Sequence, residues 1–327
     1  MATSGSWDYS LTAADIINMA VQNLKVLRVG GTIVAAHQTM ALQRLNVIAK
    51  QHQGTSDGTQ GIKVHTRQRI TLVLALGQQT YLIGPASTDA RASTAMYRTT
   101  LDADEAAGQT TLSVTDTSDT TTYPGTTGTM TANDFIGIEQ SDGTIFWNTV
   151  ASISAGVSVT INTGLDVAAG SGAYVYWFTS RAQRFPVIES AVLREAGYTT
   201  TPLEVYKEVR QYEYGVSAKY ARGTPTAMLV EPLRIATRVT LNSQPTNVQQ
   251  QIVLTVLYPS EDYDATTDDI AFPQEALRFL SWELAFEIHP AFGAMWTPAM
   301  EKLRLESRQA WATLNPENSV LFYQPNA

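Results

Sequence analysis

The stretch Gln251-Ile252-Val253-Leu254-Thr255-Val256-Leu257-Tyr258, followed by an acid-rich loop and then by Leu277, Leu280, Leu284 and Ile288, decides the fold class. Ile252, Leu254, Val256 and Tyr258 alternate against Gln, Val, Thr and Leu, the period of a strand. Pro273 then opens a helix that runs to His289, and Pro290 and Gly293 break it. Thr297-Pro298 starts a further helix predicted to reach Leu314. The loop 261–269 between strand and helix holds five acids and no base. A period-two element followed by period-3.6 elements points to an α+β class.

Outward from there, the N-terminal side gives two helices. Thr12 with Asp15 three positions on has the form of a capping box. Ile16, Ala20, Leu24 and Leu27 recur at helical spacing, so a helix is predicted over 12–29, stopped by Gly30-Gly31. A second helix is predicted over 32–51, with Met40, Ala41, Leu45 and Ile48 on one side. The short connection makes the two a helical hairpin. Residues 69–75 and 80–84 read as strands joined at Leu76-Gly77-Gln78-Gln79, a β-hairpin. Further on, 184–195 reads as extended and 202–214 as helical, with Pro202 early and Gly215 closing. Residues 227–231 and 234–241 read as strands.

Composition shifts in the middle. Between 99 and 180 stand Asp102, Asp104, Glu105, Asp116, Asp119, Asp134, Glu139, Asp142 and Asp166, with no Lys or Arg. Strands are predicted at 110–114, 135–139, 144–153, 157–161 and 174–178, and Asp142-Gly143 is a tight-turn signal. This predicts an inserted all-β sandwich or barrel at 100–180, with 117–131 a mobile, low-complexity loop. The implied organisation is a discontinuous core of 1–99 and 181–314, with helices and β-hairpins. The insert interrupts it, and 315–327 forms an extended C-terminal arm.

The chain has 327 residues, enough for one large domain or two to three ordinary ones. With 16% charged and 44% hydrophobic residues it is not a highly charged disordered chain. A net charge of −8 argues against uniform coating of nucleic acid. The absence of cysteine removes disulfides, thiolate metal sites and cysteine nucleophiles. No run approaches about 18 apolar residues, so no membrane span is expected. The first six residues have neither a positive charge cluster nor an apolar core, so no leader is expected.

Signatures of chemistry are missing. There is no phosphate loop ending Gly-Lys-Ser/Thr, no Gly-x-Gly-x-x-Gly, no Gly-x-Ser-x-Gly and no His-Glu-x-x-His. His37, His52, His65 and His289 lack the spacing of a helical metal pair. Asp102/Asp104 and Asp268/Asp269 could be imagined as a glycosidase dyad, and Asp262, Asp264 and Asp268 as calcium ligands. Both sets read more simply as solvated loop charge, so no catalytic residue, cofactor or metal is expected. The charge distribution says more. Lys25, Arg28, Arg44, Lys50, Lys63, Arg67 and Arg69 stand against the single acid Asp57. Such a stretch suits nucleic acid or an acidic protein surface. Leu321, Phe322 and Tyr323 in the polar tail are candidate anchors for a partner.

Several segments in order resemble one family. Residues 12–51 resemble the opening helix pair of phage head-to-tail adaptor proteins, the tail accessory factors of short-tailed phages. The run Ile70 to Pro85, with Gly77-Gln78-Gln79 and Tyr81-Leu82-Ile83-Gly84, resembles the same group. So does Leu254-Thr255-Val256-Leu257-Tyr258-Pro259, the acidic loop, Phe272-Pro273-Gln274-Glu275-Ala276-Leu277 and two closing helices. The insert, through 108–114, 134–138 and 142–147, resembles a module of larger members. The resemblance implies a non-enzymatic virion protein, made in the host cytoplasm. It would form a ring of about twelve copies beneath the portal, extend the DNA channel and help retain packaged DNA. Its implied partners are copies of itself, the portal, later tail parts (hub, nozzle or fibre proteins) and double-stranded DNA passing without sequence specificity. The seven bases would face the portal or the channel, and the tail aromatics would hold a partner. The alternative is a carbohydrate-binding or fibre-docking tail component acting through the insert, with Trp147, Tyr174, Tyr176 and Trp177 as stacking residues.

Overall fold

A computed structural model describes residues 9–27, 31–51, 66–86, 91–119, 127–195, 199–217, 219–258, 261–272 and 274–314. Helices and strands are both abundant, and the chain divides into two compact units. One unites the two chain ends, 1–66 and 259–327, and the other is the continuous stretch 67–258.

The first unit is helical. It comprises α1 (Ala13–Asn23), α2 (Ala35–Gln51), and, from the far end of the chain, α4 (Leu277–Ile288) and α5 (Pro298–Leu314). The capping box is present: Thr12 Oγ1 accepts from the Asp15 N–H at 3.3 Å, and Asp15 Oδ2 accepts from the Thr12 N–H at 3.0 Å. The helix ends earlier than predicted. Lys25 takes a left-handed φ of 59°, which terminates α1 before the glycine pair. Helix α4 is buried nearly all round, through Leu277, Phe279, Leu280, Trp282, Leu284, Ala285 and Ile288. A helix apolar on every side must be central. Here α4 packs against α1, α2 and α5. Ile16, Ile17, Ala20 and Val21 of α1 and Ala41, Leu45 and Ile48 of α2 share its core.

The acidic loop serves this unit as a structural part. Its carbonyls at Thr266 and Asp268 accept the first N–H groups of α1, from Ala14 and Ala13, which no helix can satisfy internally. Asn46 of α2 holds it by a reciprocal pair with the Tyr263 backbone, at 2.8 and 2.9 Å.

The second unit contains two curled sheets. The larger has eight strands: β1 (Thr66–Val73), β2 (Thr80–Ile83), β3 (Arg91–Ser93) and five from the second half of the chain. The smaller uses β4 (Tyr97–Thr100), β5 (Thr111–Ser113), β8 (Phe135–Glu139), β9 (Ile145–Ser154), β10 (Ser158–Ile161) and β11 (Tyr174–Phe178). Between them in sequence, β6 (Ser118–Asp119) and β7 (Gly128–Thr129) form a short ladder of their own. Returning to the large sheet, the chain adds β12 (Val187–Arg194) and β13 (Thr200–Tyr206). Helix α3 (Val209–Gly215) and β14 (Ala221–Arg222) follow. Then come β15 (Ala227–Pro232), β16 (Thr237–Leu241), β17 (Ser243–Gln244) and β18 (Gln251–Tyr258). The order across the large sheet is β2-β16-β15-β13-β12-β18-β1-β3.

Two sequence expectations are corrected here. Residues 69–75 and 80–84 do not pair as a hairpin: β2 pairs with β16, six strands away from β1. Flat, that separation would be about 29 Å at ~4.8 Å per strand. An extended linker from Val73 to Thr80 reaches only about 24 Å. The sheet therefore curls into a near-barrel. Its inner face carries Ile70, Leu72, Tyr81, Leu193, Met228, Val239, Ile252, Leu254 and Val256. The Gly-Gln-Gln motif serves that closure. Gly77, at φ 71°, donates its N–H to Pro245, and Gln79 Nε2 donates to the Leu241 carbonyl at 2.7 Å. The second correction concerns 202–214. Its first part is strand β13, and the helix begins only at Val209.

Tyr81 shows what closure requires. It is buried, and its hydroxyl accepts the N–H of Ala75 at 3.0 Å, where the linker leaves the ladder. Tyr81→Phe leaves that N–H without a partner. It should cost about 1 kcal/mol in urea unfolding of the full chain, the net contribution of one partly buried hydrogen bond.

The smaller sheet closes on itself. Its end strands β4 and β5 are joined by the antiparallel bridge Leu101↔Val114 and by N–H donation from Asp102 to Ser113 and from Thr115 to Thr100. Leu112, Ile136, Ile138, Val150, Val159, Val175 and Trp177 fill it. All five strands predicted for 110–178 are present, and the sixth, β4, begins at Tyr97, before the predicted start of the insert. Residues 120–126 of the predicted loop lie outside the described residues.

Candidate interaction surface

The seven basic residues do not form one set. Lys25, Arg44 and Lys50 belong to the helical unit, and Arg67 and Arg69 to the β unit. Arg28 and Lys63 lie outside the described residues, as do Leu321, Phe322 and Tyr323. Two of the described bases are already paired. Lys50 meets Asp262 at 2.7 Å, and Arg67 grips Glu189 with Nε at 2.6 Å and Nη2 at 2.9 Å. That fork holds the Arg67 guanidinium firmly charged, its pKa raised by the Glu189 carboxylate. Arg44 and Lys25 are exposed and make no ion pair among the described residues. A shallow depression of about 510 Å³ beside the last turn of α2 is lined by Asn46, Val47, Lys50 and Gln51.

The acids of the small barrel mostly hold its turns together. Glu105 accepts the Ser113 N–H, Asp119 that of Arg98 and Asp134 that of Thr131, at 2.5, 2.8 and 2.6 Å. These three are buried. Asp104 accepts from Ser171, Asp116 from Ser118, Asp142 from Thr144, Glu139 from Tyr174 and Asp166 from Gln140. The hydrogen bonds from Ser118 and Thr144 hold the Asp116 and Asp142 carboxyls below the usual range, so both stay ionised. One end of the barrel gathers the loops 101–110, 140–144 and 162–173. They are tied by Glu105↔Ala169 pairing and by the Ser141 N–H on the Ala168 carbonyl. Asp102, Asp104, Asp142 and Asp166 are exposed there, and the loops contain no base.

Residues considered for chemistry are placed otherwise. Asp262 pairs with Lys50, and Asp268 Oδ2 accepts the N–H groups of Asp264 and Ala265, both at 2.8 Å. Among the described residues no group of three or more His, Asp or Glu side chains is placed to hold a metal ion. His37 packs on Phe292, and His289 lies against Phe286 and Trp296, with Nδ1 2.6 Å from the Phe286 carbonyl. His52 and His65 lie outside the described residues. No helix among the described residues is long and apolar enough to cross a membrane.

The four aromatics of the insert separate by strand face. Trp177 points into the barrel. Tyr176 and Phe178 point outward and pack with Val73 and Met96. Burial pushes the Tyr176 hydroxyl far above its ordinary pKa, so it stays neutral. Trp147 and Tyr174 are half-buried, with the guanidinium groups of Arg91 and Arg98 over their rings at 5.3 and 4.5 Å. Trp147 also lies across Gly137, where an added Cβ would come within 2.7 Å of the indole. These rings bind parts of their own chain.

The sequence reading missed one exposed feature, the connection from β13 to β15. The two strands run parallel, Glu204 opposite Ala227, so the chain must cross over between them. The crossover carries Tyr206, Lys207, Arg210, Tyr212, Tyr214, Lys219, Tyr220 and Arg222. Tyr212 anchors it, buried, with its hydroxyl donating to the Leu241 carbonyl at 3.0 Å. Tyr206 stacks edge-on against Tyr212, and Lys219 binds Glu213 at 2.5 Å. Tyr214 and Tyr220 are 83% and 72% exposed. The interleaving of Tyr with Lys and Arg was the available signal.

No family model matches the chain. No curated protein sequence matches it either. The geometry and the ordered motifs are the grounds for assigning a role.

Proposed function

We propose that this chain is a structural subunit of a viral head-to-tail connector. Copies would form a ring, about twelve in number, beneath a portal and extend the channel through which DNA passes without sequence-specific contacts. The ring would help retain packaged DNA and offer the barrel to later tail components. The protein would act through broad contact, with no bond-making step. The observation that carries this reading is the helical unit assembled from both chain ends. The opening and closing helix pairs that resemble the adaptor family share one core, centred on α4. The turn-bound acids and the self-packed aromatics of the insert fit a rigid docking module better than a sugar-binding face. Closed rings use heterologous contacts, in which each subunit offers two different faces.

The test is the assembled state. The full chain, alone and with its cognate portal, is examined by sedimentation and electron microscopy. A ring of the chain on the portal is the expected result. A chain that stays monomeric with the portal present, or is absent from purified virions, would refute the assignment.

A further inference from the structure

We infer that the tyrosine-bearing crossover 206–223 of one copy docks on the carboxylate end of the small barrel of a second copy. This rests on the connector reading and names the two faces that meet.

The described part of the crossover displays its tyrosines from a packed base. Its base is fixed by Tyr212 on Leu241, by Tyr206 against Tyr212, and by the parallel pairing of β14 with β17. Gly215 admits the Tyr206 ring, since a Cβ there would sit 2.7 Å from its hydroxyl. Tyr220 holds a φ of 68°, a conformation that bulky residues avoid. The residue is 72% exposed. Large exposed tyrosines on a fixed backbone lose little entropy on binding, which is why Tyr and Arg dominate contact hot spots.

Charge selects the occupant. Glu213 neutralises Lys219. Lys207, Arg210 and Arg222 are exposed, and among the described residues no acid pairs with them. Glu208 is the remaining acid, so the rim is net positive. The barrel end presents Asp102, Asp104, Asp142 and Asp166 with no base. Each chain thus carries both halves of a complementary pair. Two different patches on one chain make a heterologous contact, which propagates from copy to copy.

The experiment is a charge swap in the full chain, read by sedimentation with and without the portal. Arg210→Glu/Arg222→Glu places acid against acid, and Asp102→Lys/Asp104→Lys places base against base. Each variant alone should assemble at least about tenfold more weakly than the wild type. An equimolar mixture should assemble again, because every junction between unlike variants pairs opposite charges. Tyr220→Gly removes the ring and relieves the strained φ. It should weaken assembly while its melting temperature is unchanged or higher. Wild-type assembly with swap variants that assemble equally well, or with a mixture that fails to recover, overturns this inference and leaves the connector reading standing. Loss of DNA binding with unchanged assembly in Arg210→Glu/Arg222→Glu would assign the rim to phosphate and overturns it too. Failure of the wild-type chain to assemble at all refutes both.

Discussion

Arg304→Ala should lower the stability of the helical unit by about 3–5 kcal/mol, the cost of breaking a buried ion pair from one side. Arg304 and Glu283 have side chains only 15% and 8% exposed. Arg304 gives Nη2 and Nε to Glu283 Oε2 at 2.9 and 3.1 Å, gives Nη1 to Glu301 at 3.3 Å, and lies 3.9 Å over the Phe286 ring. Among the described side chains of α5, Met300 and Ser307 are also buried. This one guanidinium therefore ties α5 to α4 through both Glu283 and the Phe286 ring. Alanine leaves the Glu283 carboxylate in the core, its Oε1 already without a partner. Glu283→Leu/Arg304→Met should recover most of the loss, because an apolar pair of similar size has no charge to desolvate. Urea unfolding of the full chain, following the helical signal, reads both variants. A loss below about 0.5 kcal/mol for Arg304→Ala would show that α5 is held by something else.

The pair illustrates what a sequence hides. Elements with a strict period were legible. Phe135–Glu139 and Tyr174–Phe178 coincide with their predicted bounds, and α5 begins and ends as expected. In these segments the side-chain pattern and the backbone demand agree. The failures occur where a non-local partner decides. Gly77-Gln78-Gln79 has the local chemistry of a hairpin turn, yet its glycine and glutamine bond to Pro245 and Leu241, far away in sequence. Pro202 looked like a helix start. It stands instead in β13, which pairs with β15 only from Glu204 onward, so its missing N–H falls where one side is open.

The candidate surface was less legible than the fold. A run of bases in sequence suggested one basic face, but Arg67 and Lys50 each have a carboxylate partner distant in sequence. The nine acids of the insert stand in a stretch without Lys or Arg. Most accept hydrogen bonds from their own loops, and only the cross-linked loops at one end leave carboxylates exposed together. Side-chain pairing across loops has no period, so no window of sequence reveals it. The crossover tyrosines were concealed by a different error, the assignment of 202–214 to one helix.

Trp177→Ala should cost about 3–5 kcal/mol, the range for a large aromatic removed from a packed core. Trp177 is 1% exposed, and its ring stacks on Tyr97 with centroids 5.5 Å apart. It also shares the barrel interior with Ile136, Ile138, Leu165 and Val175. Its Nε1 finds no acceptor, so Trp177→Phe removes an unsatisfied donor along with some volume. The phenylalanine variant should therefore lose distinctly less than the alanine variant. Trp147→Ala should also lose less than Trp177→Ala, since Trp147 is half-buried and lies over Gly137 on the outer face. The order of the three, measured by near-ultraviolet circular dichroism during thermal unfolding, separates a core aromatic from a binding platform. A sugar-stacking tryptophan must keep one ring face open, and its loss would abolish glycan binding while barely moving the melt. Tolerance of alanine at Trp177 with loss of a bound glycan would reverse that assignment, because only a ring free of the core can behave so.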